Sequence, residues 1–247
     1  MYQCHVTHRV SRRRTMSHSL CGAGCLTSTS SGSRARVRSR SRAPAVLALQ
    51  GLLTSWQRQS TRRQAKEQLL KAVDGTERGQ RLGSRPAVEA AIDALAAVDT
   101  SGPPNTDAKV LSSCWRLLYT SERETLFLLK NGFPFLGAAG ESYQVIDVEA
   151  GTLSNVILFG DAGAAFVVRA RTKAENPVRT RFEFTAAELH VPGRKAPFSI
   201  PPFGSGWFDS LYVDAPGSGA PSLRAARDSR GDTLVVERCD DVRLPFL

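Results

Sequence analysis

SSCWRLLYT, residues 112–120, is a short apolar and aromatic run that reads as a β-strand, and a bulky aromatic placed as Trp115 is would plug the floor of a closed sheet. Beyond it the apolar residues repeat with a period of two. Runs at 113–121, 142–149, 152–159, 163–171, 178–189, 207–213, 222–228 and 232–238 read as strands, most of them separated by Gly, Pro or Asn. Eight short strands at this spacing predict an antiparallel β-barrel or sandwich. ERETLFLLKNGFPFLGAAG (122–140) breaks the rhythm and reads as a short helix and loop able to cover or line one mouth.

Two strands show which face turns inward. In VRTRFEFTA (178–186) Thr180, Phe182 and Phe184 share one face; Arg179, Arg181 and Glu183 share the other. In GAAFVVRAR (163–171) Phe166, Val168 and Ala170 oppose Val167, Arg169 and Arg171. Polar-out and aromatic-in is the pattern of a half-buried antiparallel strand. An eight-strand barrel is either filled by side chains or encloses one apolar ligand, and both outcomes fit this pattern. Phe166, Phe182, Phe184 and Tyr119 are the candidate wall residues, with plain core packing as the alternative for each.

Towards the N-terminus the period turns helical. Ala65, Leu69, Leu70 and Val73 form an apolar stripe that Gly75 ends. Ser84 and Pro86 open a second helix carrying Val88, Ala91, Ile92, Leu95 and Val98. SGPPN (101–105) then stops it. The expected organisation is a basic leader over 1–55, an amphipathic helical region over 56–108 and the barrel over 109–241.

The formal charge of +10 suggests a nucleic-acid binder only if the chain is taken whole. Residues 1–66 hold thirteen Arg and Lys and no acid, whereas 67–247 carries 20 basic and 23 acidic residues, a formal −3. A Ser- and Arg-rich leader on a near-neutral body has the composition of an organelle transit peptide. A disordered basic tail and an RNA-binding arm are the other readings, but no aromatics interleave with the leader's arginines, so no nucleic-acid partner is expected. APAVLALQGLL (43–53) is too short to span a membrane and reads as a lumen-directing segment or the start of a helix. Of five cysteines only Cys114 and Cys239 lie in the body. Free buried thiols are expected, with a disulfide open if the first and last strands adjoin.

Four pieces of the chain together resemble the plastid lipid-associated proteins, or fibrillins. They are AVDGTERG (72–79), SSCWRLLYTSE (112–122), YQVIDVEAGTLSNVILF (143–159), and WFDSLYVD (207–214) with LRAARDSRGDTLVVER (223–238), in the family's order. The resemblance implies a plastid protein with a lipocalin-like barrel, associated with thylakoids or lipid globules. It also implies non-catalytic binding of a small hydrophobic ligand: a prenylquinone, carotenoid or acyl lipid. Trp115 would take the place of the floor aromatic. Asp214 would match an aspartate proposed as a ligand contact, with a turn or capping role as the alternative. Family arginines would fall at Arg224, Arg230 and Arg238, with Arg238 or Arg230 packed over Trp115 as a structural cation–π contact. Ser113 stands where the family usually has Gly, and APGSGAP (215–221) is an insertion.

No acid–base pair, nucleophile triad, metal-ligand spacing or cofactor motif is visible in the body, whose one histidine is His190. The function expected is lipid binding and association, with a solid-cored module docking a plastid partner protein as the alternative. Membrane or globule attachment is assigned to the apolar residues of 124–136, against a lid buried on its own barrel.

Overall fold

The computed structural model describes residues 43–98, 104–160, 163–201, 204–239 and 241–247. The expected disordered leader therefore falls mostly outside the described residues, as do its three cysteines and most of the SGPPN break. Helix α1 runs Ala43–Val73, so the segment 43–53 is the start of a helix and the boundary drawn at 55 falls inside it. Helix α2 spans Arg85–Val98 and α3 is a single turn, Ala108–Leu111. Strand β1 (Ser113–Thr120) is followed by α4 (Arg123–Asn131). The remaining strands are β2 (Ala139–Asp147), β3 (Thr152–Phe159), β4 (Ala164–Ala174), β5 (Arg179–His190), β6 (Phe198–Ile200), β7 (Ser205–Val213), β8 (Leu223–Asp228) and β9 (Thr233–Arg238).

Every strand pairing is antiparallel. The order β4-β3-β2-β1-β9-β8-β7-β5 returns to its start through a ten-residue β4–β5 ladder, closing a lipocalin-like ring of eight strands. All eight expected strands are present, within a few residues of their expected ends. Strand β6, which pairs outside the ring with β5, was not expected. Three residues bracketed by Pro197 and Pro201 are too few to show an alternation.

Two β-bulges decide which side chains enter the ring. In β1, Trp115 and Leu117 face inward, as do their β9 partners Arg238 and Val236. Leu118 is an extra residue, because Leu117 pairs with Val236 and Tyr119 with Val235. One added residue reverses the alternation. Tyr119 consequently points outward, and Thr120 points in. Strand β7 repeats the device at Leu211: Phe208 and Ser210 face inward, and Tyr212 turns outward.

The outward tyrosines carry the helices. Ala65, Leu69 and Val73 of α1 recur every four residues, and Val88, Ile92 and Leu95 of α2 recur at four and three. Both spacings keep side chains on one helix face. The two stripes bury against Tyr119, Tyr212, Leu223, Ala225 and Val235. Positive-φ Gly75 (φ 65°) ends the first stripe as expected. At Gly79 (φ 100°) a Cβ would fall 1.9 Å from the Thr120 carbonyl oxygen, so only glycine lets this turn lie against the end of β1. Arg78 in the same turn donates to the Gly140 carbonyl at 2.5 Å. Ser84 precedes α2 as expected, but its hydroxyl donates back to the Arg81 carbonyl.

On the opposite flank Val167, expected on the polar face of β4, is fully buried on the outside of the ring. Val242, Leu244 and Phe246 of the C-terminal tail cover it together with Val156 and Tyr143. Arg169 holds the tail by donating to the Phe246 carbonyl at 2.5 Å. The tail packs because the outer face of β3 and β4 around Val156 and Val167 is apolar.

Candidate ligand cavity

Inside the ring lies a cavity of about 130 Å³. Trp115 closes its floor and is fully buried, its indole Nε1–H donating to the Leu111 carbonyl of α3 at 3.0 Å. Above the indole, Leu153, Ile157, Phe182, Phe184 and Phe208 form an apolar wall. Phe182 lies 5.1 Å from Phe184 and 6.4 Å from Phe208 between ring centres, a continuous aromatic surface.

The mouth is polar. Thr120, Glu122, Thr125, Asp228 and Asp232 line it. Arg230, beside them, donates to Glu122 and Glu124 at 2.9 Å each and lies 3.4 Å from Asp228 and 3.6 Å from Asp232. Burial raises the Glu122 carboxyl above its ordinary value, while the Thr125 hydroxyl and the Arg230 charge pull it back. Helix α4 starts at this mouth, and its Leu126 and Leu129 pack on the interior cluster. Leu128 and Phe133 join a second cluster with Ile157 and Phe159. The apolar run 124–136 is thus mostly a lid, with Phe127 and Phe135 left outside at 65% and 106% relative exposure.

Of the residues expected at a ligand site, the cavity gathers Trp115, Phe182 and Phe184. Phe166 shares the inward face with its cross-strand partner Ile157 but belongs to the end cluster under α4, beyond the cavity lining. Tyr119 lies outside the ring under α2 because of the bulge at Leu118. Asp214 also lies outside the cavity and is almost fully buried. It accepts from the Tyr212 hydroxyl at 2.5 Å and the Leu223 backbone N–H at 2.9 Å, and pairs with Lys66 of α1 at 2.5 Å. Its own N–H donates to the Leu223 carbonyl, so residue 214 ties both ends of the 215–221 insertion together. Among the two arginines expected over Trp115, Arg238 takes the place, 4.4 Å from the ring centre, and donates to the Val110 carbonyl at 2.5 Å. Arg230 sits at the mouth instead.

The residue given no site role in the sequence reading is Arg224. Alternation along β8 sends Leu223 and Ala225 outward to the helices and Arg224 and Ala226 into the ring. The whole residue is 1% exposed. Its Nη1 donates to the Gln144 side-chain oxygen at 2.5 Å, and its Nε lies 3.4 Å from the Ser210 hydroxyl. Gln144 in turn donates to Asn155 at 2.9 Å, a short polar relay across an otherwise apolar interior. Burial pushes the Arg224 pKa down to about 9, which leaves it charged at neutral pH. The LRAAR segment carried this signal: an arginine whose sequence neighbours at ±1 are both apolar, in a strand of period two.

His190 rests against Glu188 at 3.1 Å and the Phe246 ring at 5.0 Å, on the rim of the tail contact. Among the described residues no group of three or more His, Cys, Asp or Glu is placed to hold a metal ion, and no helix is long and apolar enough to cross a membrane.

A closed ring floored by an indole, with an apolar cavity open at one end, defines a small lipocalin-like fold. The PAP/fibrillin family profile matches residues 63–237, and the chain belongs to that family. It is 36% identical over 178 residues to the probable plastid-lipid-associated protein 11, chloroplastic, of Arabidopsis thaliana, a match covering 70% of this chain and 79% of the relative. No solved structure matches it.

Proposed function

We propose that the chain is a non-catalytic plastid protein that binds one end of a small hydrophobic molecule in its ring and associates with thylakoid or lipid-globule surfaces. The observation carrying this reading is the cavity between Trp115 and the Phe182–Phe184–Phe208 wall. Burial there favours an apolar guest by about 25 cal/mol per Å² of apolar surface removed from water. The volume limits the guest. An apolar cavity of about 150 Å³ admits benzene, so about 130 Å³ takes a ring or a few carbons while the rest of the molecule leaves through the mouth. Family membership and the chloroplastic relative support the compartment, and exposed Phe127 and Phe135 beside the mouth support contact with a lipid surface.

The same small volume favours a second reading, a filled interaction module whose helices dock a plastid partner. Native mass spectrometry of the protein recovered from chloroplasts separates the two. A stoichiometric lipid adduct is expected; a protein that emerges empty from lipid-rich extract points to the module.

A further inference from the structure

Within the hydrophobic-ligand reading, on which this inference rests, we propose that the ligand is a single-chain amphiphile with a carboxylate head, and that Arg224 is the residue that binds the head. Arg224 is a buried cation whose partners are neutral. An amide oxygen and a hydroxyl receive two of its five N–H donors, and Nη2 has no hydrogen-bond partner. Among the described residues no carboxylate pairs with it; its other neighbours are the rings of Phe208, 4.9 Å from the guanidinium, and Trp115 at 5.9 Å. A buried charge that lacks a counter-charge is costly, and a buried donor that lacks an acceptor adds to the cost. A carboxylate offered from the cavity side satisfies both at once, through charge-assisted hydrogen bonds to a planar fork suited to that geometry.

The surroundings fit this guest. Arg224 lies deep, between the indole floor and Phe208, and the wall from Arg224 to the mouth is the apolar surface of Leu153, Ile157, Phe182 and Phe184, where a hydrocarbon chain buries. The cavity volume suffices for a head and its first carbons. The acids at the mouth, Glu122, Asp228 and Asp232, are each within ion-pairing distance of Arg230, which offsets their repulsion of an incoming anion. Thr180, buried on the same inward strand face as Phe182, has a hydroxyl with no partner, a second polar atom inside the ring left unused. A neutral quinone or carotenoid brings no counter-charge to Arg224.

The test is isothermal titration calorimetry of the full chain with palmitate and with methyl palmitate, which keeps the chain and removes the charge. Palmitate is expected to bind at least tenfold more tightly. Arg224→Met should erase that preference, Arg224→Lys should restore part of it, and Arg230→Gln, which uncovers the acids at the mouth, should reduce it less than Arg224→Met does. Equal affinity for acid and ester in the unaltered protein overturns the assignment of Arg224 while leaving hydrophobic binding in place. Binding of neither overturns the hydrophobic-ligand reading as well. The acid–ester comparison needs no variant, so it stands even if Arg224→Met folds poorly.

Discussion

Arg238 and Trp115 are direct cross-strand partners in β9 and β1, and the guanidinium lies 4.4 Å from the centre of the indole. The same arginine reaches the Val110 and Ser112 carbonyls, so one side chain joins the floor of the ring to the α3 turn that seals it. Trp115→Ala should cost about 3–5 kcal/mol, the range for removing a large buried aromatic. Arg238→Met should cost less, about 1–3 kcal/mol, for one cation–π contact and its carbonyl hydrogen bonds. Urea denaturation measures both. A loss below about 1 kcal/mol for Trp115→Ala would show that the indole is not part of the packed floor.

Asp214 gives the opposite lesson, an acid whose role lies away from the cavity. Its carboxylate satisfies Tyr212, the Leu223 N–H and Lys66 on the helix side of the sheet. Asp214→Asn breaks a buried pair and should destabilise the fold by about 3–5 kcal/mol. Affinity of the folded protein for palmitate should stay within about twofold, since 1.4 kcal/mol is needed for a tenfold change. A large loss of affinity at unchanged stability would return Asp214 to the ligand site.

Arg224 should be a stability liability in the empty protein. Replacing a buried ionic group with a well-packed apolar one of similar volume is often stabilising by about 1–4 kcal/mol. Arg224→Met is therefore expected to raise the thermal midpoint of the ligand-free protein. A lowered midpoint would mean that the bonds to Gln144 and Ser210 outweigh the cost of burying the charge.

Cys114 and Cys239 meet because β1 and β9 adjoin: Cys239 N–H donates to the Cys114 carbonyl, and the Cys239 thiol donates to the Cys114 sulfur at 3.2 Å. Burial, then the neighbouring Cys114 thiol, pushes the Cys239 pKa from 9.0 up to about 12. An acid group with a raised pKa in the fold keeps its proton there when the unfolded chain has lost it. Its stabilising contribution is thus full below pH 9 and disappears as pH rises towards 12. Alkylation of Cys239 by iodoacetamide at pH 8 should accordingly be far slower in the folded protein than in guanidinium. Equal rates would contradict a half-buried, protonated thiol.

Phe127 and Phe135 are the parts of the α4 segment that its own ring leaves uncovered. The double variant Phe127→Ser, Phe135→Ser should sediment several-fold less with vesicles of galactolipid composition while binding palmitate normally. Unchanged sedimentation would assign the lid to the ring alone and remove it from membrane contact.

Much of the cavity was legible in the period-two runs. TRFEF announced Phe182 and Phe184 on one face, and Trp115 announced a floor, because alternation in a regular strand converts directly into inside and outside. Tyr119 was misplaced by the same rule. A single extra residue, Leu118, inverts the count after it, and a bulge is set by how β1 must pair with β9 rather than by local composition. The outer face of β4 was read as solvent-facing, since a seven-residue tail has too little pattern of its own to reveal where it docks.

The amino-acid order by itself determined eight strands, two amphipathic helices, Gly75 as the end of the first of them, and family membership, because these depend on local spacing and residue type. Only the tertiary structure decided which of three family arginines is buried in the ring, which tops the indole and which guards the mouth. Closing the sheet brings Gln144 of β2 to Arg224 of β8, 80 residues on, and the burial that strips Arg224 of water exists only once the ring is shut.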